Sequence, residues 1–276
     1  MKLRTVTFDW KPGDSWTLYP WGDWHRGHAN CHTKLLMRKR DEIVRDPKGL
    51  VVLMGDLYDC ITSSDKRFDS ASIDYSVIEP KKLSFLHDEL TKDACRMLEP
   101  VIDKVLIVHD GNHEEVLNRN STSSLLAGVL DKLGGEELVG RLYAPGHAMT
   151  TLRFEDGNKH NLTCKIQSFH GTQASQYMGT LVNSMAKKTQ QYHDADIILR
   201  GHSHHAFAVK AARLDENGEE LFDCEVVLCH TGSALKTYEK DKESYAEKKD
   251  YAPIVLGFPR IIITPTRNGL KLEGIS

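Results

Sequence analysis

The stretch Leu50-Val51-Val52-Leu53-Met54-Gly55-Asp56-Leu57-Tyr58-Asp59 decides the fold class of this chain. Its first five residues form a continuous apolar run, which is typical of a parallel strand buried on both faces. The run ends at Gly55-Asp56. Ligand sites in α/β proteins collect at the carboxyl ends of strands, because the loops there face a common crevice. The stretch therefore predicts an α/β fold with polar site residues at the end of this strand.

The same pattern, an apolar run followed by a short polar motif, recurs on both sides of this stretch. The segment at 16–19 leads to Asp23-Trp24-His25, and the run at 105–108 precedes Gly111-Asn112-His113-Glu114. The segment at 162–169 ends at His170-Gly171, and the run at 197–199 comes just before Gly201-His202-Ser203-His204. Five polar motifs at five predicted strand ends indicate that distant parts of the chain converge on one site.

Ordinary connecting elements are predicted between these motifs. Alternating residues at 6–8 and 16–19, separated by Pro12-Gly13-Asp14, predict a β-hairpin. Amphipathic patterns predict helices at about 32–45 and 81–98. The region at about 60–98 is longer than one crossover helix needs, which leaves two alternatives: a cap or lid inserted beside the site, or an extra surface helix. We otherwise expect one domain over residues 1–276, because no repeat or low-complexity linker interrupts the sequence.

The composition is that of an ordinary globular protein, with 40% hydrophobic and 27% charged residues in 276. A formal net charge of −3 argues against dependence on non-specific nucleic-acid binding, which usually requires a basic surface. No segment approaches the roughly 18 apolar residues that span a bilayer. The six cysteines form no CxxC pair. We therefore expect a soluble, reduced, cytoplasmic protein that does not enter a membrane.

The residue types in the five motifs suit a pair of divalent cations. Two such cations roughly 3.5–4 Å apart can hold both oxygens of an in-line displacement at phosphorus and generate hydroxide at neutral pH. Such a site needs oxygen and imidazole donors and few thiolates. The motifs supply two carboxylates, four imidazoles and an amide oxygen: Asp23, Asp56, His25, His170, His202, His204 and Asn112. The sequence therefore predicts two ligand sets that share one carboxylate.

The content and order of the motifs resemble the calcineurin-like metallophosphoesterase superfamily, with its DxH, GDxxD, GNH, H and GHxH pattern. The resemblance runs from Asp23 to His204 and implies a four-layer α/β/β/α sandwich. It implies a dinuclear site. The first metal ion would be bound by Asp23, His25 and His204, and the second by Asn112, His170 and His202. The carboxylate of Asp56 would bridge the two ions. Mn is the favoured metal, with Fe, Zn, Ni and Mg as alternatives.

The resemblance also implies two catalytic residues. His113 matches the histidine that protonates the leaving oxygen or stabilises the phosphoryl charge, and Asp59 matches the carboxylate that orients it. A carboxylate partner raises an imidazole pKa and fixes the ring. The implied reaction is phosphoester hydrolysis by in-line attack of a metal-bound hydroxide, without a covalent enzyme intermediate.

Two departures from the family pattern narrow the function. Serine/threonine protein phosphatases of the superfamily carry phosphate-binding arginines where this chain has Cys60 and Asp110. The absence of these cations argues against a protein phosphatase. The GHSH motif is more similar to the phosphodiesterase and nuclease branch, and the spacing resembles small bacterial or phage metallophosphoesterases. We expect a phosphodiesterase that acts on nucleotides or nucleic acid. A phosphomonoesterase for a small metabolite and a non-catalytic metal-binding scaffold remain alternatives, and the oligomeric state stays open.

Several residues near the motifs allow both a functional and a structural interpretation. Arg200 could contact phosphate or be an ordinary charge at a strand end. His109 and His230 also end strands, where they could satisfy local hydrogen bonds. Three aromatic residues could stack a nucleobase or form the wall of a crevice: Trp24, Tyr58 and Tyr177.

Overall fold

Alternate residues of the decisive strand pack into two different hydrophobic cores. In the computed structural model, Leu50, Val52 and Met54 belong to a cluster that contains residues of a second sheet. Val51 and Leu53 belong to a separate cluster formed with helices. Because successive side chains of a strand point to opposite faces, this strand is covered on both sides. The continuous apolar run is therefore explained by a sheet lying between two other layers.

The structure describes residues 1–60, 70–79, 85–119, 124–157, 161–173, 175–216, 218, 220–240, 245–248 and 250–276. Within these residues the strands form two sheets. The five-stranded sheet has the order β11-β10-β2-β3-β4, with β2 (Trp16–Trp21), β3 (Gly49–Leu53), β4 (Val105–Val108), β10 (Arg260–Thr266) and β11 (Gly269–Ile275). The six-stranded sheet has the order β1-β5-β6-β7-β9-β8, with β1 (Lys2–Asp9), β5 (Ala148–Glu155), β6 (Asn161–Ser168), β7 (Ile197–Arg200), β8 (Ala206–Glu216) and β9 (Leu221–Thr231).

Helices cover the outer face of each sheet. The described helices are α1 (Thr33–Arg45), α2 (Leu86–Leu98), α3 (Asn112–Arg119), α4 (Leu125–Leu142), α5 (Met178–Gln191) and α6 (Tyr245–Lys248). The apolar faces of α1, α2 and α4 pack on the five-stranded sheet. Leu181 and Met185 of α5 pack with Ile198 on the six-stranded sheet. The layers are therefore helix, sheet, sheet and helix, which confirms the predicted four-layer α/β/β/α sandwich.

The prediction of an N-terminal β-hairpin is wrong. β1 pairs in parallel with β5 over eight residues, whereas β2 pairs with β3 and β10 in the other sheet. The turn near Pro12 thus connects the two sheets. Across the gap between them, Trp16 packs on Phe8 and Phe154 with ring centroids 5.5 and 4.8 Å apart. The turn residues favour pairing of β1 with β2. Pairing with strands distant in sequence, together with this aromatic contact, is formed instead.

The region predicted to hold a cap or lid at about 60–98 is described only in part. Its last thirteen residues form α2, whose residues Leu90, Ala94 and Met97 are buried against the five-stranded sheet and its helices. Residues 61–69 and 80–84 lie outside the described part of the chain. The single domain over 1–276 and the cap or lid both stay predictions.

His109 has a structural role at the end of β4. Its Nδ1 lies 2.7 Å from the carbonyl oxygen of Ala144, and its Nε2 lies 2.8 Å from Oγ of Ser168. The ring is fully buried, and burial lowers the pKa of His109 to about 4. It therefore stays neutral and links β4 to β6 of the other sheet.

This depressed pKa predicts a loss of stability in acid. The unfolded chain takes up a proton near pH 6.5 and the folded chain only near pH 4. Protonation of His109 therefore costs no stability above pH 6.5. The free energy of unfolding falls as the pH drops from 6.5 towards 4, and the total loss is about 3 kcal/mol. His109→Asn should be destabilised at pH 8 by its lost hydrogen bonds but should lose less further stability than wild type between pH 6.5 and 4 in urea titrations. Parallel curves for both proteins would contradict this role.

Candidate metal centre

The predicted ligands lie on loops that leave the carboxyl ends of parallel strands in both sheets. Five of the seven described non-glycine residues with positive φ are predicted ligands, with φ between 47° and 74°: Asp23, His25, Asp56, His202 and His204. Such conformations are unfavourable for residues with a Cβ and persist where the surrounding structure imposes them, most often at functional sites. The loops are thus held in strained shapes at the positions that the motifs single out.

Close approach of two loops requires glycine at two positions. Gly55 has a φ of +85°, and a Cβ added there would lie 2.4 Å from the backbone nitrogen of Gly111. A Cβ added to Gly111 would lie 2.2 Å from Oδ1 of Asp56. The loop carrying Asp56 and the loop carrying Asn112 therefore touch through their backbones, which brings the ligands of β3 and β4 together.

Asp23, His25 and His204 form the first candidate metal-binding group, with their ligand atoms within 4.8 Å of one another. The Nε2 atoms of His25 and His204 are 2.9 Å apart, and Nε2 of His204 lies 3.8 Å from Oδ1 of Asp23. The Asp23 carboxylate also accepts hydrogen bonds from the backbone N–H of His202 and, at 2.7 Å, from the hydroxyl of Thr231. Two more strand ends thus position this carboxylate.

Asp56, His170 and His202 form the second group. Nε2 of His170 lies 3.3 Å from Oδ2 of Asp56. Asn112 joins them, because its Oδ1 is 2.7 Å from Nδ1 of His202 and 3.4 Å from Nε2 of His170. Nδ1 of His170 lies 2.6 Å from the carbonyl oxygen of Met54 and donates to it, which leaves Nε2 free for a metal. The GHSH motif contributes one imidazole to each group.

The electrostatics of the buried carboxylates fit a cationic ligand. Burial, together with the nearby charge of Asp56, raises the pKa of Asp23 to about 6. Burial would also raise the pKa of Asp56, but the charges of His170, His113 and His25 hold it well below its usual range. Buried carboxylates at this density are costly unless cations compensate them. Two groups of carboxylate and imidazole donors therefore fit divalent cations of the Mn, Fe or Zn type. The bridging role of Asp56 stays a prediction.

His113 and Asp59 lie beside both groups. Nδ1 of His113 is 2.8 Å from the carbonyl oxygen of Asp59 and 3.3 Å from its Oδ1, and the carboxylate is also 3.5 Å from Nδ1 of His25. Burial alone would lower the pKa of His113, but its hydrogen bond to Asp59 and the charges of Asp56 and Asp59 raise it to about 9. His113 is therefore protonated at neutral pH.

Glu114 organises the loop around Asp56, a role that the motifs did not predict. This fully buried carboxylate accepts four backbone N–H groups at 2.8–3.1 Å, from Asp56, Leu57, Tyr58 and Gly111. Burial and the charges of Asp56 and Asp110 raise the pKa of Glu114 to about 7. An acidic residue in the first turn of a helix just after a candidate ligand was the available signal, but such residues usually serve only the helix dipole.

The three aromatic residues near the motifs differ in their exposure to solvent. Trp24 and Tyr58 are fully buried, and the Tyr58 hydroxyl donates to Asp93 of α2 at 2.7 Å. The same carboxylate forms a buried pair with Arg26. Tyr177 is 76% exposed, so it alone of the three could stack a base in the folded protein.

The two positions that depart from the protein-phosphatase pattern are structural. Cys60 is buried, and burial raises the pKa of its thiol well above the usual value. Asp110 is also buried and accepts hydrogen bonds from Tyr143 and Asn118. Neither side chain extends a positive charge towards the candidate ligands.

Comparison with known families agrees with this geometry. A family model described as calcineurin-like phosphoesterase matches residues 21–206, more than half of the chain. The chain belongs to the calcineurin-like phosphoesterase family. This family is metal-dependent and acts on phosphoesters. The matched segment contains every predicted ligand and both predicted catalytic residues.

Some solved structures are similar to this chain at low sequence identity. A conserved protein from Streptococcus pneumoniae, described as a predicted phosphoesterase, is 14% identical with a TM-score of 0.35, over 95% of this chain and 90% of its own. Vps29 from Entamoeba histolytica, complexed with Zn²⁺, is 14% identical with a TM-score of 0.38, over 94% and 98%. GAP50 of Plasmodium, an anchor in the inner membrane complex, is 9% identical with a TM-score of 0.45, over 95% and 84%. No curated protein matches the chain.

Among the described residues, none of the helices combines the length and apolar character that a membrane crossing requires.

Proposed function

We propose that this protein is a dinuclear-metal-dependent phosphodiesterase that acts on nucleotides or nucleic acid. One observation carries the proposal: two groups of carboxylate and imidazole donors lie side by side, with the protonated His113 and its partner Asp59 next to them. No ligand expected from the family pattern is missing from this arrangement, which supports catalysis over a purely structural role.

The residues divide into two ligand sets and a proton donor. Asp23, His25 and His204 would hold one cation, and His170, His202 and Asn112 the other, with Asp56 shared between them. Bound divalent cations would supply Lewis-acid activation of the phosphoryl group and a nucleophile at neutral pH. His113 carries a proton at Nε2 while Nδ1 is bonded to Asp59, so it can donate to the leaving oxygen. Asp59 keeps the ring oriented and protonated.

A diester fits the charge of this site better than a monoester. A phosphate monoester carries about −1.5 to −2 charge at pH 7, whereas a diester has one ionisable oxygen and carries about −1. Beyond its bound cations the site offers His113 as a positive group, because Arg26 is paired with Asp93 and the positions of Cys60 and Asp110 provide no cation. The exposed ring of Tyr177, seven residues after His170, offers a surface for a nucleobase.

A substrate panel on metal-loaded protein tests this proposal. It would contain single- and double-stranded DNA, RNA, cyclic nucleotides and a matched model diester and monoester, each with Mn and then with Fe, Zn, Ni or Mg. We expect kcat/KM for the diester to exceed that for the monoester by at least about tenfold. A preference for the monoester would replace the proposal with a phosphomonoesterase. Tight metal binding without hydrolysis of any substrate would favour a scaffold.

His113→Asn is the diagnostic variant in the same panel. The substitution removes the proton donor but none of the proposed ligands, so metal content should be unchanged while kcat falls by about a hundredfold or more. Unchanged kcat would remove His113 from the mechanism.

A further inference from the structure

A cavity of about 250 Å³ lies beside the metal centre, against the outer face of the six-stranded sheet. Ser184 and Lys188 of α5 line one side of it, and Arg200 and His230 line the other. Arg200 and His230 are paired neighbours on β7 and β9. Gly171 and Gly201 also line the cavity, and each adjoins a proposed ligand in the chain, His170 or His202. The cavity and the proposed ligands are thus connected through these two glycines.

The Arg200 side chain is buried without a counter-charge. It is 7% exposed, and its Nη1 donates to Oε1 of Gln167 and to the carbonyl oxygen of Leu199, both at 2.6 Å. Its Nη2 is buried and has no hydrogen-bond partner in the part of the chain that the structure describes. No carboxylate among those residues forms an ion pair with it. A buried cation is costly unless it is paired and its donors are satisfied.

The residues that line the cavity suit a negatively charged ligand. Lys188 supplies a second cation near Arg200, and its amine lies 3.0 Å from Oε1 of Gln191. None of the described residues that line the cavity is an aspartate or a glutamate. The Arg200 guanidinium is also held in place by the Phe169 ring, whose centroid is 5.9 Å from Cζ. The site is therefore positively charged, and its main cation is fixed before any ligand arrives.

We propose that this cavity is an anion-binding site separate from the metal centre, in which Arg200 binds a phosphate or carboxylate group. Guanidinium groups are suited to both, because their planar N–H donors match the oxygens of either anion. The volume is below that of typical drug-sized ligand pockets, which fits a small anionic group better than a whole nucleotide. The group could belong to the substrate of the metal centre or to a separate small molecule.

Phosphate binding to chelator-treated protein tests the site without any contribution from metals or activity. Inorganic phosphate should raise the thermal midpoint of wild type in a saturable manner, and acetate should do so more weakly. Arg200→Met should bind phosphate at least about tenfold more weakly, because it loses charge-assisted hydrogen bonds. An unchanged phosphate affinity in Arg200→Met would overturn the proposal. Failure of phosphate to stabilise wild type would also overturn it, and would mean that water alone satisfies Arg200.

Four further variants separate local binding from folding and from the metal centre. Ser184→Leu fills the cavity but keeps Arg200, so it should also lose phosphate binding even if Arg200→Met folds poorly. Lys188→Met removes a cavity cation, whereas Lys187→Met removes an exposed neighbour that does not line the cavity. Phosphate affinity should fall in Lys188→Met and stay unchanged in Lys187→Met. His204→Ala, which alters the first ligand group, should keep the phosphate effect, and loss of the effect there would overturn a separate site.

Steady-state kinetics then identify the source of the anion, and this arm alone rests on the proposed function. If the anion is part of the substrate, Arg200→Met should raise KM for a diester that carries an additional phosphate, leaving KM for a plain diester and both kcat values within about twofold. If it is a separate molecule, KM for both diesters should be unchanged by Arg200→Met while phosphate binding is lost. Both patterns support the anion-binding site. They differ only in whether the anionic group belongs to the substrate or to a separate molecule.

Discussion

Asp56→Asn should lose at least about a thousandfold in kcat/KM with saturating Mn, because several kcal/mol of transition-state stabilisation depend on the cations that this carboxylate holds. Asparagine has the same shape and keeps an oxygen to accept the His113 backbone N–H, which lies 2.9 Å from Oδ1 in the wild type. The variant therefore removes the negative charge and leaves the loop in place. Activity is measured on the preferred diester, and bound metal is counted by elemental analysis after gel filtration.

The metal count distinguishes a shared ligand from one that serves a single ion. If Asp56 is shared, both ions should be weakened, so the variant should retain less than one metal per chain. Asp194→Asn, which removes an exposed carboxylate paired with Lys165, is the matched control and should keep full activity and metal content. Full turnover in Asp56→Asn would contradict the mechanism, and loss of one ion alone would contradict the bridging role.

Glu114→Ala should lower the free energy of unfolding by at least about 4 kcal/mol, because four buried backbone N–H groups lose their acceptor at roughly 1–3 kcal/mol each. That is a large part of the 5–15 kcal/mol that typically stabilises a domain. Glu114→Gln keeps one acceptor oxygen and should fall between wild type and the alanine variant. Urea titration of chelator-treated protein measures the difference without a contribution from bound metal.

A neighbouring glutamate provides the control for this prediction. Glu115 lies next to Glu114 on α3 but is exposed, and its described ion pair is with Arg119. Glu115→Ala should therefore cost about 0.5 kcal/mol or less. If Glu114→Ala were no less stable than Glu115→Ala, the four hydrogen bonds would not organise the loop. If Glu114→Gln folds, its activity should still fall, because the Asp56 loop depends on the same oxygens.

The sequence patterns were sufficient to predict the α/β class and the residues that meet at the site, and the family resemblance of the motifs implied the four layers. Apolar runs such as 50–54 report burial on both faces of a strand directly, since a half-exposed strand would alternate. The polar motifs follow those runs at once, so parallel and adjacent strands bring together the motifs of one sheet, and the packing of the two sheets brings both sets to one site. His170 and His202 follow adjacent strands of the six-stranded sheet, Asn112 follows β4 of the other sheet, and the structure places Asn112 within hydrogen-bonding distance of both histidines.

Local patterns failed where the partner is distant along the chain. The residues near Pro12 favour a turn, but they do not reveal that β1 pairs with β5, nearly 150 positions later. Trp24 and Tyr58 read as candidate stacking residues, and only the packing of α2 over the five-stranded sheet shows that they are buried.

What the sequence by itself determined is thus the buried strands that precede the polar motifs and the candidate ligands, because each depends on residues adjacent in the chain. The resemblance of those motifs to a known family implied the four-layer class. Only the tertiary structure decided that Glu114 holds the Asp56 loop, that His109 links the two sheets and that Arg200 lines a cavity beside the metal centre. A side chain's role depends on which groups surround it once it is buried. Those groups come from segments far apart in sequence, so no local pattern encodes them.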